Sequence, residues 1–188
     1  MKLKIILIII VGFAMQCASG TQYRKVSSDE GSGEWGPKEV QETVNTMVGA
    51  LEVYLKQNEK AVFIQLNAIK NRTSEHIDTK MLADKIATSL VQRKIRFIDV
   101  SQRDAALKEI ETGQTGIIDS DSAVAAGQLK SPNFFITGDI TDNQRHVDGK
   151  RIQYLVVTLK LVAVATTEVK WQNQKEFLKE TKEDNYTW

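Results

Sequence analysis

The spacing of apolar side chains divides the chain into stretches of different kinds. Residues 5–11 form an unbroken apolar run behind Lys2 and Lys4, and residues 12–16 trail into smaller or more polar side chains before Cys17. Residues 18–37 carry no apolar period: Ser, Gly, Asp and Glu dominate 27–34, and the stretch closes on Gly36-Pro37, where proline suits the first position of a helix. Beyond it Val40, Val44, Met47, Val48, Leu51 and Leu55 recur at three- and four-residue spacing, which predicts a helix from Pro37 to about residue 57. Residues 61–66, with Val62, Phe63 and Ile64, are too few for another helix and predict a strand, followed by a polar loop over 67–77. Asp78 is a good N-cap for a second helix, whose Leu82, Ile86, Ala87 and Leu90 share a face. A second strand is expected over 95–100. Ser101 then caps a third helix with Ala105, Leu107 and Ile110 among its apolar positions, Gly113 ends it, and a shorter helix is expected over 120–128.

The last third reads as strands. Residues 134–141 and 152–163 flank Asp148-Gly149, a dipeptide that readily takes the positive φ angles of a tight reversal, so the two runs predict a hairpin. In its second strand Leu155, Val157, Leu159, Leu161 and Ala163 share the face expected in the core, while Tyr154, Val156, Thr158 and Lys160 share a mixed face, partly covered or open to a partner. Thr166-Thr167 turns the chain into a last strand over 168–175 around Val169 and Trp171. The sum is one α/β domain, its mixed or mostly antiparallel sheet flanked by helices.

The ends change the picture. A basic start, a short apolar run and a polar exit are the outline of a secretory signal peptide. The run covers about half of the roughly 20 residues a spanning helix needs. The single cysteine of the chain follows at once, so it has no partner for an internal disulfide. Ala14-Met15-Gln16-Cys17 resembles the bacterial lipobox, in which the cysteine takes a lipid such as palmitate; Gln16 departs from that pattern, which usually has Gly, Ala or Ser there. The expected organisation is a signal peptide over 1–16, a lipidated Cys17 with a flexible tether over 17–37, a globular domain over 38–180 and a tail over 181–188. Loss of the leader leaves 172 residues and, with Lys2 and Lys4 gone, turns a formal charge of +1 into −1. That balance carries no nucleic-acid footprint, and 41% hydrophobic content suffices for one packed core.

Catalytic chemistry has little to work with. His76 and His146 are the only imidazoles, and no HExxH, CxxC, GxSxG or P-loop string occurs. Residues 31–36 spell GxGxxG, but they follow a polar tail where the dinucleotide fingerprint needs a strand. Gly113-Gln114-Thr115-Gly116 lacks the Lys and Ser or Thr of a phosphate loop. No cofactor, no metal and no enzymatic activity are expected.

The run Asn71-Arg72-Thr73-Ser74-Glu75-His76-Ile77-Asp78-Thr79, with Leu82, Asp84-Lys85-Ile86, Phe97-Ile98-Asp99, Gly116-Ile117-Ile118-Asp119, Gly138-Asp139-Ile140 and Val169-Lys170-Trp171, resembles the penicillin-binding protein activator lipoproteins of the LpoB type. The likeness runs in order from about residue 35 to 180. It implies a fold like the N-terminal domain of TolB and a non-catalytic role: docking onto a bifunctional peptidoglycan synthase, a penicillin-binding protein, and stimulating it. It places the chain in a bacterial cell envelope, lipid-anchored at the outer membrane and facing the periplasm. The alternative is a structural or assembly lipoprotein of an envelope secretion or surface complex with the same fold.

Within the 71–79 run Arg72, Glu75 and His76 are candidates for partner contact, since loops on rigid scaffolds often carry binding residues; the other reading packs His76 beneath the helix. Asn71, Thr73 and Asp78 read as structural, two bonding their own backbone in a turn and one capping a helix. Tyr154, with Phe134 or Phe135 on the neighbouring strand, is a candidate aromatic anchor for a partner, against the alternative that these rings are core. The arm behind Cys17 is short. Its nineteen residues, 18–36, span at most roughly 65 Å extended and about 25 Å on average as a flexible chain.

Overall fold

The computed structural model describes residues 23–182. The signal peptide, Cys17 and positions 183–188 of the tail lie outside the described residues.

Helix α1 (Pro37–Asn58) begins with proline at its first position, and the Glu39 carboxylate reaches back to accept from the Gly36 amide at 2.9 Å. Its apolar stripe, Val40, Val44, Met47, Val48, Leu51 and Leu55, is buried as the spacing predicts. Strand β1 (Ile64–Asn71) follows, then α2 (Thr79–Gln92), where Asp78 Oδ1 accepts from the Met81 amide at 2.9 Å and Leu82, Ile86 and Leu90 are buried. Arg93 of the turn after α2 pairs with Glu52 of α1, which ties the two helices at their surface. Helix α3 (Arg103–Gly113) leads to a long connection and three strands of fourteen residues each: β2 (Phe134–Val147), β3 (Lys150–Ala163) and β4 (Val169–Lys182).

The sheet order is β1-β2-β3-β4, with β1 parallel to β2 and the other pairs antiparallel. Between β2 and β3 the reversal takes two residues, Asp148 at φ 50° and Gly149 at φ 69°, as a right-handed twist favours. Val147 therefore pairs with Lys150, and every later pair follows, down to Phe134 with Ala163. Helices α1 and α2 pack against one sheet face, α1 over β4 and α2 over β1. The core between them holds Met47, Leu51, Ile64, Leu82, Ile86, Leu90, Ile136, Ile140, Leu155, Leu159 and Leu161, all essentially inaccessible. Each such side chain contributes on the order of 1.5–3 kcal/mol by leaving water. The opposite sheet face carries half-buried and exposed residues instead, with Thr158 the buried exception on β3.

Several local expectations change, and the first hairpin strand, expected over 134–141, runs to Val147. The first strand runs on to Asn71 instead of stopping at 66, because the register slips between Leu66 and Ile69 and the resulting bulge returns Ile69 to the core. Residues 95–100 do not form a strand: one bridge joins Phe97 to Ile64, and then Asp99 Oδ1 accepts from the Ser101 amide and hydroxyl at 2.9 and 2.6 Å and turns the chain into a 3-10 turn, Val100–Gln102. Asp99 thus plays the capping part expected of Ser101. No helix forms over 120–128. Asp119 Oδ1 accepts from the Asp121 amide at 3.3 Å and Ser122 Oγ donates to the Asp119 carbonyl at 3.0 Å, and a single turn closes on that carbonyl before Gly127 at φ 82°. Finally, β4 continues past 175 to Lys182 by alternating half-buried with exposed positions.

Candidate functional site

The connection between β1 and α2 is built from side chains that fold back on their own backbone. Asn71 Oδ1 accepts from the Thr73 amide and hydroxyl at 2.9 and 2.7 Å, and Asn71 Nδ2 donates to the Glu75 carbonyl at 2.7 Å. Thr73 Oγ1 in turn accepts from the Glu75 amide at 3.2 Å. Short polar side chains that mimic a backbone turn have this effect wherever they sit. The Asn71, Thr73 and Asp78 positions are thereby placed in turn and cap geometry, with Asp78 on the first turn of α2.

Ser74 joins that loop to the sheet. Its hydroxyl donates to Asp142 Oδ2 at 3.1 Å and accepts from Gln144 Nε2 at 2.5 Å. Asp142 Oδ2 also takes hydrogen bonds from Gln144 and from the buried Gln153, at 2.9 and 3.0 Å. Burial works to raise the Asp142 carboxyl, but the bonds from Gln144, Gln153 and Ser74 outweigh it and hold the group below the usual carboxylate range. These side chains stand on the helix-covered face, beyond the apolar core and towards the hairpin turn.

Glu75 differs from its reading as a partner-binding residue. Its carboxylate turns inward, where Oε2 accepts the Trp35 amide at 3.1 Å. The Trp35 ring meets Phe177 edge to face, with centroids 6.1 Å apart. Arg151 Nη2 donates to the Gly33 carbonyl at 3.0 Å, and Lys179 Nζ donates to the Glu34 carbonyl at 2.5 Å while pairing with the buried Glu39 at 3.1 Å. Residues 29–36, read from composition as flexible tether, therefore lie against the domain. Arg72 and His76 remain exposed on the loop on either side of Glu75.

The aromatic anchor is corrected as well. Phe134 is 6% exposed on the core face, opposite Ala163, and is not available to a partner. Phe135 shares the open face with Tyr154, but it pairs with Val162 and Tyr154 with Asn143. The two rings thus stand roughly 26 Å apart at about 3.3 Å per residue. Tyr154 is 42% exposed and sits directly across from Leu178, 72% exposed, so its real neighbour comes from β4. A hydrogen bond to Glu176, then burial and the charge of that carboxylate, raises the Tyr154 hydroxyl above the ordinary phenol range. Tyr154 projects from the sheet face opposite the Ser74–Asp142–Gln153 network, so the candidate contact residues occupy two surfaces. Asp142, Gln153, Arg151, Lys179 and Trp35 escaped the sequence reading; the one available signal was an aromatic inside a polar run.

Among the described residues no group of three or more His, Cys, Asp or Glu side chains is placed to hold a metal, and no helix is long and apolar enough to cross a membrane. What the fold offers is an α/β domain with a tied polar loop and one open sheet face, a class of scaffold suited to contacts between macromolecules. The family model of the peptidoglycan-synthase activator LpoB matches residues 37–177, three quarters of the chain, and the chain belongs to that family. Among solved structures it is similar to the LpoB C-terminal domain from Escherichia coli (11% identity over 74% of this chain and 98% of that one, TM-score 0.47). The LpoB C-terminal domain from Salmonella enterica is a second (12% identity, 71% and 97%, TM-score 0.44). The solution structure of Escherichia coli LpoB is a third (11% identity, 88% and 82%, TM-score 0.45). No curated protein sequence matches the chain.

Proposed function

We propose that this chain is an envelope lipoprotein, anchored by a lipid on Cys17, that docks onto a bifunctional penicillin-binding protein and stimulates its peptidoglycan synthesis without catalysing a step itself. The observation that carries the reading is the family match across α1 to β4, residues 37–177. The anchor is assigned to the outer membrane with the domain in the periplasm, following the lipobox and the family resemblance. Two surfaces are offered to the synthase. One is the loop bearing Arg72 and His76; the other is the open sheet face at Tyr154 and Leu178, where an exposed aromatic beside an exposed aliphatic side chain has the composition of an interface centre.

The test is a glycan-polymerisation assay with a bifunctional synthase from the same organism, run with and without the purified protein. The expected result is a faster rate with the protein present and no turnover by the protein alone. Absence of both a rate change and a pulldown overturns the reading. Lipidation is checked separately: labelled palmitate enters the wild-type protein and not Cys17→Ser, and failure to label the wild type removes the anchor.

A further inference from the structure

We propose that residues 29–36 form a releasable strap, which closes the hairpin end of the domain when docked and lengthens the membrane arm when freed. The strap is held through its backbone and through the Trp35 ring, which packs against Phe177 at the edge of the core. The Gly33 and Glu34 carbonyls accept from Arg151 and Lys179, and the Trp35 amide donates to Glu75, so three successive residues each make one cross-chain bond. Asp29 folds the strap's other end by accepting the Lys38 amide at 3.1 Å. Close approach is built in at Gly33, where a Cβ would lie 2.6 Å from Thr181 Oγ1 and 3.2 Å from Arg151 Nη2; Arg151 and Thr181 are directly paired across β3 and β4. A side chain at 33 therefore forces Thr181, Arg151 or the strap to move, a branched one more than a methyl.

Several features make the strap separable from the fold beneath it. The family match begins at residue 37, so the domain is defined without the strap. Lys179 keeps Glu39 as its partner when Glu34 leaves. Docking also leaves Trp35 Nε1 and Glu75 Oε1 buried with no hydrogen-bond partner among the described residues, an unfavourable feature that release relieves. Elements of this kind open at lower free energy than the core.

The consequence for reach rests on the proposed lipid at Cys17. With the strap docked, residues 26–28 form a 3-10 turn beside α1, so the arm in front of it is residues 18–25 and spans at most about 28 Å; released, the arm is 18–36 and spans at most about 65 Å.

Amide hydrogen exchange of the full chain reads docking directly and does not depend on lipidation, so the two readings fail separately. In the wild type the Trp35 amide exchanges at least about tenfold more slowly than an unstructured amide, yet at least about a hundredfold faster than the Val157 amide of the central strand β3. Gly33→Val removes the Trp35 protection and leaves Val157 within about twofold. Should Gly33→Val also loosen the fold, Arg151→Met, which keeps the stem and removes the donor, is expected to lower Trp35 protection about threefold with Val157 unchanged. An unprotected Trp35 amide in the wild type overturns the proposal. So does protection equal to that of Val157, which would make the strap a permanent part of the fold, or protection that both variants leave intact.

Discussion

Gly138 pairs with Leu159 in the middle of β2 and β3, and alanine at this position would bring a Cβ 2.6 Å from the Thr158 carbonyl oxygen and 2.5 Å from Leu159 Cδ2. Leu159 is essentially inaccessible. The Thr158 oxygen is backbone, so relief requires the two strands to separate by several tenths of an ångström. Overpacking of this kind costs about 1–3 kcal/mol, and the upper end applies because the obstructing atom is not the tip of a flexible side chain. A stiffer unfolded chain returns about 0.4–1 kcal/mol, so Gly138→Ala is expected to destabilise by about 2 kcal/mol. With roughly 2.1 cal/mol/K of unfolding entropy per residue over about 150 ordered residues, that is a fall in Tm of about 6 °C. Gly49→Ala is the matched control. Gly49 lies inside α1 with no atom within 4 Å of an added Cβ, so the change gains about 1 kcal/mol of helix propensity and raises Tm by about 3 °C. Thermal unfolding followed by circular dichroism at one protein concentration gives both values. A Gly138→Ala protein that melts with or above the wild type would refute the close-approach reasoning, and a matching loss in Gly49→Ala would show that glycine replacement is harmful without reference to packing.

Asp142 has its carboxyl pKa lowered in the fold, so its stabilisation is fully present above the unfolded value near 3.9 and is lost as pH falls through the folded value. Asp142→Asn is expected to cost about 1–2 kcal/mol at pH 7, discounted for partial exposure. The gap in Tm from wild type should shrink below pH 4, and a gap that stays constant down to pH 3 contradicts the assignment. Asp78→Ala removes the cap on the Met81 amide and is expected to cost about 1 kcal/mol, whereas Asp78→Asn keeps an acceptor and costs less. Equal losses in urea unfolding of the two variants would argue against a capping role.

The parts of the fold legible in the sequence are those where side-chain period and burial coincide. Helix α1, with Val40 to Leu55 on one stripe, and β3, with Leu155 to Leu161 on one face, declare themselves because each buries one regular row. The lower half of β1 is hidden by its bulge, since Asn67 and Ala68 break the alternation that Ile69 resumes. Residues 95–100 have a strand's composition, but Asp99 bonds forward to Ser101 and ends the pairing after one bridge. The strap escapes notice for another reason: composition describes side chains, and apart from the Trp35 ring against Phe177 the strap is held by its backbone groups and the lack of a side chain at Gly33. The exclusion of Phe134, by contrast, was available. A two-residue reversal at Asp148-Gly149 pairs 147 with 150 and hence 134 with 163, and Ala163 already belonged to the core row.

The two candidate surfaces differ in what a partner would do to the strap. Glu75 stands between Arg72 and His76 on one short loop, and its carboxylate is what holds the Trp35 amide. A synthase that draws Arg72 and His76 towards itself shifts that loop, and with it the acceptor that holds the Trp35 amide, leaving Gly36 bonded to Glu39 at the start of α1. Tyr154 and Leu178 lie on the other face of the sheet from the buried Gln153 and its partner Asp142. Contact there leaves the latch alone. A ligand moves an equilibrium only by its differential affinity for the two states, so occupancy of the loop favours the long arm and occupancy of the open face does not. Under the loop reading, freeing the strap in advance with Gly33→Val strengthens synthase binding, because the partner no longer has to break the Glu75 bond. Under the open-face reading the same substitution leaves affinity unchanged while Tyr154→Ala weakens it. The short arm makes the distinction consequential: a partner that unlatches the strap as it binds also extends the tether that lets the domain reach it.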